Sequence, residues 1–288
     1  MKTGVPGTRL KLGIRTPIAA VLAAFIMIAP AWAQEGLGQA PEHAALAVPQ
    51  SDWQPPEKKP ADANPCPRVV SEKAFLKNLW CDQKVIWTAP LRAPRRLRFV
   101  LPFAGATAVL IATDKFAARE ISERPPGGGF NASRYISYMG SPASTIGFAG
   151  AFYGVSRLTR NEGMRETALL SFEVLADAGI VQGVLKIATQ RERPTQDNGR
   201  LRLDDARGKF WAGGSSFPSG HSISVWALAS FFASRYPDKP VVKYTAYGLA
   251  VAVSVSRLTS RQHFPSDVLV GSVFGYLIGH YVTRAHTR

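Results

Sequence analysis

The chain has only two cysteines among its 288 residues, Cys66 and Cys81. Both stand far from the motifs described below, which excludes a catalytic thiol. In an oxidising compartment they could pair; otherwise they are two independent thiols. Acidic residues are scarce as well, with 20 Asp and Glu against 35 Lys and Arg and a formal net charge of +15. So basic a balance favours anionic partners such as phosphates or an anionic membrane surface. The chain has no Lys/Arg-rich block interleaved with aromatics, which argues against a nucleic-acid partner. It has no internal repeat at solenoid spacing. Long apolar runs are also missing: most apolar stretches are about 14–16 residues, against the ~20 that a membrane span requires. One of them contains Glu173 and Asp177. These lengths favour a soluble or peripherally attached domain over an integral one.

The first 33 residues read as a secretory signal. Lys2, Arg9, Lys11 and Arg15 precede an apolar run from Pro17 to Pro30, and Ala31-Trp32-Ala33 matches a small-x-small cleavage site. An uncleaved anchor is the alternative. Residues 34–68 hold seven prolines and few large apolar side chains, the composition of a flexible linker. Residues 69–288 form the main domain. Phe75, Leu76, Leu79, Trp80 and Ile86 recur at near-helical spacing, which predicts an amphipathic helix over 72–87 packed on the body. Six apolar stretches follow, near 99–113, 142–155, 167–187, 222–236, 244–258 and 267–282. The run Arg124-Pro125-Pro126-Gly127-Gly128-Gly129 reads as a loop between the first two.

Chemistry concentrates in three short segments: Lys186-x6-Arg193-Pro194, Pro218-Ser219-Gly220-His221, and Ser256-Arg257-x5-His263-x3-Asp267. Lys186 and Arg193 are two helical turns apart, which places both cations on one face, with Pro194 ending the helix. Ser219 suits an N-cap, and Gly220 lets backbone approach a ligand. The free N–H groups of the helix that follows would then face a bound anion. His221 stands at that helix mouth, where a protonated imidazole could donate to a leaving oxygen. Pro265 suits a first helical turn, and Asp267 is close enough in sequence to reach back to His263. No cysteine or acidic metal cluster accompanies the motifs, so no metal is expected.

These three motifs, in this order and with every fixed position present, resemble the type 2 phosphatidic acid phosphatase and vanadium haloperoxidase superfamily. The resemblance spans about 167–281 and implies an all-α helical bundle of about six core helices. It implies phosphate binding by Lys186, Arg193, Ser219, Gly220 and Arg257. It further implies that His263 attacks phosphorus with Asp267 behind it, and that His221 is the general acid. The expected activity is an exported, metal-independent phosphohydrolase with a phosphohistidine intermediate. Its substrate would be a phosphomonoester or lipid phosphate, and its site would face the periplasm or cell envelope. No cofactor is expected. The alternative is a vanadate-dependent haloperoxidase, with vanadate in the phosphate position.

Other residues read as bystanders. Arg191 and Arg261, at variable motif positions, are expected to be solvated at the rim. His280 is expected in the core or an interface, and His43 and His286 in a tether and a tail. Thr195 to Phe217 reads as a lid or a mobile connection.

Overall fold

The computed structural model describes residues 69–89, 97–123, 128–194 and 208–286. The expected signal, the linker and the 124–127 turn lie outside them. So does 195–207, the first part of the expected lid. Among the described residues there are eight helices and no strand. They are α1 Phe75–Thr88, α2 Leu97–Glu123, α3 Gly128–Met139 and α4 Pro142–Leu158, then α5 Glu162–Thr189, α6 Gly220–Arg235, α7 Pro240–Thr259 and α8 Pro265–His286. The all-α expectation holds. The six apolar stretches became α2 and α4–α8. Helix α3 was missed, because it opens on two glycines and has no apolar run.

Local signals start these helices where the sequence places them. Ser141, Asn161 and Ser219 each cap a helix by accepting from the backbone N–H three residues on. Pro142, Pro240 and Pro265 occupy first-turn positions that need no N–H donor. Gln190 ends α5 in the left-handed region at φ +43.

The core lies between α5, α6 and α8. Leu170, Val174, Ala178 and Val181 of α5 meet Ile223, Ala227 and Phe231 of α6 and Ile278 and Val282 of α8. All recur at intervals of three or four, so each helix turns one stripe inward. Along α8, Gly271, Gly275 and Gly279 lie against the carbonyl oxygens of Ser219, Ile223 and Ala227. A Cβ added at those glycines would sit 2.6, 2.3 and 2.0 Å from these oxygens. This seam draws α6 and α8 together along their length. At its head Ser219 N donates to the Asp267 carbonyl at 3.0 Å.

Two expectations need correction. The helices are longer than the apolar stretches that announced them, because polar flanks continue the coil: α2 has 27 residues and α5 has 28. By length and composition, Phe99–Ala118 and Glu162–Thr189 could each cross a membrane, and the first is almost entirely exposed. The length argument for a soluble domain therefore fails. Helix α1 forms and packs on the body as expected, with Ile86 against the core, but its most buried positions are polar. Asn78, Asp82 and Gln83 are buried, while Leu76 and Trp80 are 75% and 67% exposed.

Candidate active site

The three motifs converge at one end of the bundle. Helix α5 delivers Lys186 in its last turn, and α7 delivers Arg257 in its last turn. Helices α6 and α8 present their N-termini, with Ser219, Gly220 and His221 on one and Asp267 on the other. His221 lies within electrostatic reach of Arg257, His263, Lys186 and Arg193. All eight expected site residues are thus neighbours.

Arg193 is not on the α5 face with Lys186, as the spacing predicted. The helix ends at Thr189, and Arg193 is carried by the extended segment after Gln190. That segment is pinned by the chain beyond residue 208. Trp211 N bonds Thr189 O at 2.8 Å, Glu192 N bonds Lys209 O at 3.0 Å, and Ser216 N bonds Arg191 O at 2.8 Å. The described part of the expected lid is therefore fastened to the motif it follows. Arg193 donates from Nη1 to Gln262 Oε1 at 3.1 Å and from Nη2 to Ser215 Oγ at 3.4 Å. Arg257 donates from Nη1 to Ser137 Oγ on α3, while its buried Nε has no partner. A buried donor left open beside two other cations suits an anion.

At the N-terminus of α6 the close approach that Gly220 allows is made by the protein's own Gln182, not by a ligand. Gly220 packs on the Gln182 side chain, and a Cβ there would lie 2.6 Å from its amide oxygen. The first N–H groups of α6 carry the positive end of the helix dipole into the cluster.

Behind this cluster His263 is almost fully buried. Its Nδ1 is 3.5 Å from Asp267 Oδ2 and 3.5 Å from Ser216 Oγ. Asp267 Oδ2 also accepts from Ser216 Oγ at 2.5 Å and from Phe264 N at 2.9 Å. The carboxylate is thus locked in place. It faces Nδ1 and leaves Nε2 as the nitrogen that can bond outward. Burial pushes His263 down to about 4, against the pull of Asp267. Burial, followed by Arg257, pushes His221 down to about 3. Without a bound anion, both imidazoles are neutral near pH 7.

Arg191 was expected at a solvated rim and is instead 2% exposed. Its Nη1 donates to Asp267 Oδ1 at 2.7 Å and to Ser266 Oγ at 2.6 Å, and its Nη2 donates to Asp114 Oδ2 at 2.7 Å. The guanidinium lies between the rings of Phe210 and Phe264, at 4.8 and 4.4 Å. Asp114 is on α2, and its Oδ1 accepts from Ser266 N at 3.1 Å. Arg191 could have been suspected from its place inside the first motif. Asp114 carried no such signal.

The chain is similar in sequence to several known proteins. The PAP2 superfamily model matches residues 167–288, which contain all three motifs. A lipid A 1-phosphatase of Rhizobium etli is 33% identical over 108 residues, covering 36% of this chain and 44% of that protein. A lipid A 1-phosphatase of Porphyromonas gingivalis is 34% identical over 82 residues, covering 28% of this chain and 17% of that protein. The chain therefore spans less than half the length of these curated relatives. The crystal structure of a transmembrane PAP2 type phosphatidylglycerolphosphate phosphatase from Bacillus subtilis has a TM-score of 0.46 at 22% identity, covering 73% of this chain and 95% of that one.

Proposed function

We propose, from the match of residues 167–288 to the PAP2 superfamily model, that the chain hydrolyses lipid phosphate monoesters at a membrane surface. The observation that carries this reading is the grouping of Lys186, Arg193 and Arg257 with the imidazoles of His221 and His263 beside a helix N-terminus. Three cations and a helix dipole offset a phosphate dianion and the charge that grows on it during transfer. Lipid as the carrier of that phosphate is favoured by the names of the relatives and by the apolar exterior of α2, where Phe99, Leu101, Val109 and Phe116 are open to the surroundings. A lipid A-type glycosyl phosphate is one member of this substrate class. Export, with an extracytoplasmic site, is favoured by the basic and apolar run before Ala31-Trp32-Ala33.

The reaction proceeds in two displacements. His263 Nε2 attacks phosphorus in line, the phosphorus–oxygen bond to the lipid breaks, and His221 passes a proton to the departing oxygen. Water then attacks the phosphohistidine, His221 takes a proton from it, and the nitrogen–phosphorus bond breaks to release inorganic phosphate. Asp267 holds the Nδ1 proton of His263 throughout. Lys186, Arg193 and Arg257 supply the positive charge, so the step calls for no metal ion.

Phosphate release from a lipid phosphate in detergent micelles and from a soluble aryl phosphate tests the proposal, with His263→Ala as control. Turnover of the lipid phosphate, lost in the variant, is expected. Binding of both esters without turnover by the unaltered chain would overturn it.

A further inference from the structure

Helix α1 buries Asn78, Asp82 and Gln83 where its inner face meets a second group of ionisable residues. Asp82 of α1, Glu173 of α5 and His286 of α8 are all buried, and one ligand-type atom from each lies within 4.8 Å of the others. His286 Nε2 is 2.9 Å from Asp82 Oδ2 and 3.2 Å from Glu173 Oε1. Asp177, one turn further along α5, is buried beside them. The group is remote from the phosphate site. Glu173 precedes Lys186 by thirteen residues on α5, about 20 Å along the axis at ~1.5 Å per residue. His286 follows Asp267 by nineteen residues on α8, about 28 Å along its axis on the same rise.

Hydrogen bonds leave this group incomplete. Asp82 Oδ1 accepts from Tyr281 Oη at 2.8 Å, and Asp177 Oδ1 accepts from Gln83 Nε2 at 2.8 Å. Glu173 Oε1, Asp177 Oδ2 and His286 Nδ1 are buried without a hydrogen-bond partner. Glu173 is only 2% exposed, and the Nε2 it faces makes its hydrogen bond with Asp82. Two carboxylates thus face one imidazole, with a third, Asp177, close behind them and buried oxygens to spare. Negative charge so far from water needs a compensating cation or bound protons.

We propose that Asp82, Glu173 and His286 bind one divalent cation of the zinc class, which clamps α1 and the last turn of α8 onto α5. One imidazole with two carboxylates is a nitrogen–oxygen donor set of the kind such ions take, whereas calcium and magnesium prefer oxygen alone. Ligands at ~2.0–2.1 Å from a tetrahedral ion stand roughly 3.3 Å apart, close to the 2.9 and 3.2 Å that separate His286 Nε2 from the two carboxylates. Tyr281 holds one oxygen of Asp82 and leaves the other facing the site, an outer partner fixing an inner ligand. The imidazole coordinates through Nε2 and keeps its proton on Nδ1. A water would complete the set. The clamp is structural and independent of phosphate hydrolysis. It also accounts for the burial of Asp82 on α1. Cys81 of the same helix is disulfide-bonded.

The test uses the full chain, without a histidine tag, in detergent. After dialysis against metal-free buffer, zinc content is measured by mass spectrometry and unfolding is followed with added Zn2+ or with EDTA. About one equivalent of retained or re-bound zinc is expected, with a melting temperature higher in Zn2+ than in EDTA. Co2+ loaded in its place should give the visible absorption of a low-symmetry site. Glu173→Gln, which keeps the size of the side chain, should lose the equivalent and the thermal shift. Zinc below a tenth of an equivalent and identical unfolding in Zn2+ and EDTA would overturn the clamp and leave carboxylates that share protons. Unaltered zinc binding by Glu173→Gln would overturn the site assignment. Both comparisons of the unaltered chain stand even if a variant fails to fold.

Discussion

Arg191 and Asp267 form a buried ion pair at 2.7 Å, with neither side chain more than 2% exposed. The pair joins the first motif to the third behind the imidazole of His263, and Arg191 continues it to Asp114 on α2. The proposed nucleophile is therefore held by a chain of contacts, His263–Asp267–Arg191–Asp114, whose last member lies outside the segment that matches the family model.

Arg191→Met should be strongly destabilising. It keeps the aliphatic bulk between Phe210 and Phe264 but leaves Asp114 and Asp267 as buried carboxylates with no cation. Breaking a buried pair from one side costs about 3–5 kcal/mol, so thermal unfolding should shift down by many degrees. Asp114→Asn is milder and more informative. Its amide cannot replace both acceptor oxygens facing Arg191 and Ser266, so Asp267 loses its rigid backing. A loss of about 10–100-fold in kcat with KM nearly unchanged is expected of an outer partner. An equal change in KM would make Asp114 part of substrate binding instead.

Much of this site was legible in the sequence because motif spacing reports backbone geometry that local rules can follow. The N-cap at Ser219, the first turn at Pro265 and the reach of Asp267 toward His263 depend on residues within four positions. The six apolar runs announced six helices for the same reason. What was missed depends on distant chain. Arg191 resembles any rim arginine until Asp114, 77 residues away, and Asp267, 76 away, enclose it. The apolar spacing of α1 was read correctly as helical. Periodicity names a stripe without saying what it meets: Ile86 reaches the core, whereas Leu76 and Trp80 stay outside and Asp82 and Gln83 turn inward to His286 and Asp177.

His263→Ala should abolish turnover, a loss of at least ~10^4-fold, since residues acting as one catalytic unit fail together. Ser216→Ala should cost less. It removes the 2.5 Å bond to Asp267 Oδ2 but leaves the Phe264 N–H and Arg191 in place. Trapping of labelled phosphate on the protein after a rapid acid-free quench separates the two: Ser216→Ala should still accumulate phosphohistidine, and His263→Ala should not. Labelling of His263→Ala would move the nucleophile elsewhere.

The α6–α8 seam can be tested apart from chemistry. Gly275→Ala places a methyl 2.3 Å from Ile223 O, which backbone cannot relieve without parting the helices. Overpacking of this kind costs about 1–3 kcal/mol or more. Because the seam also sets the spacing of Ser219 and Asp267, activity should fall along with stability. Gly147→Ala on α4 meets nothing within 4 Å. It should be neutral or slightly stabilising, by roughly 0.5–1 kcal/mol from helix propensity. Equal melting temperatures for the two variants would refute the close seam.

The two imidazoles make a prediction about pH that differs from a simple pair of histidine titrations. His263 must be neutral to attack, and with its ionisation pushed down to about 4 it is ready above that pH. His221 must carry a proton to the leaving oxygen, yet with its ionisation pushed down to about 3 it is neutral in the empty site. The proton then has to arrive with the ester. A phosphate monoester loses its second proton near pH 6, so the monoanion supplies it below that value. Once bound, the anion offsets Arg257 and its neighbours and lets the proton settle on His221. The profile of kcat/KM should therefore rise through about pH 4, as His263 becomes free, and fall above about pH 6, as the ester arrives fully ionised. Two aryl phosphates with different second ionisations decide the matter. If the alkaline limb moves with the ester, the proton comes from the substrate. If both esters share one limb, a protein group sets it, and His221 is already charged before phosphate enters.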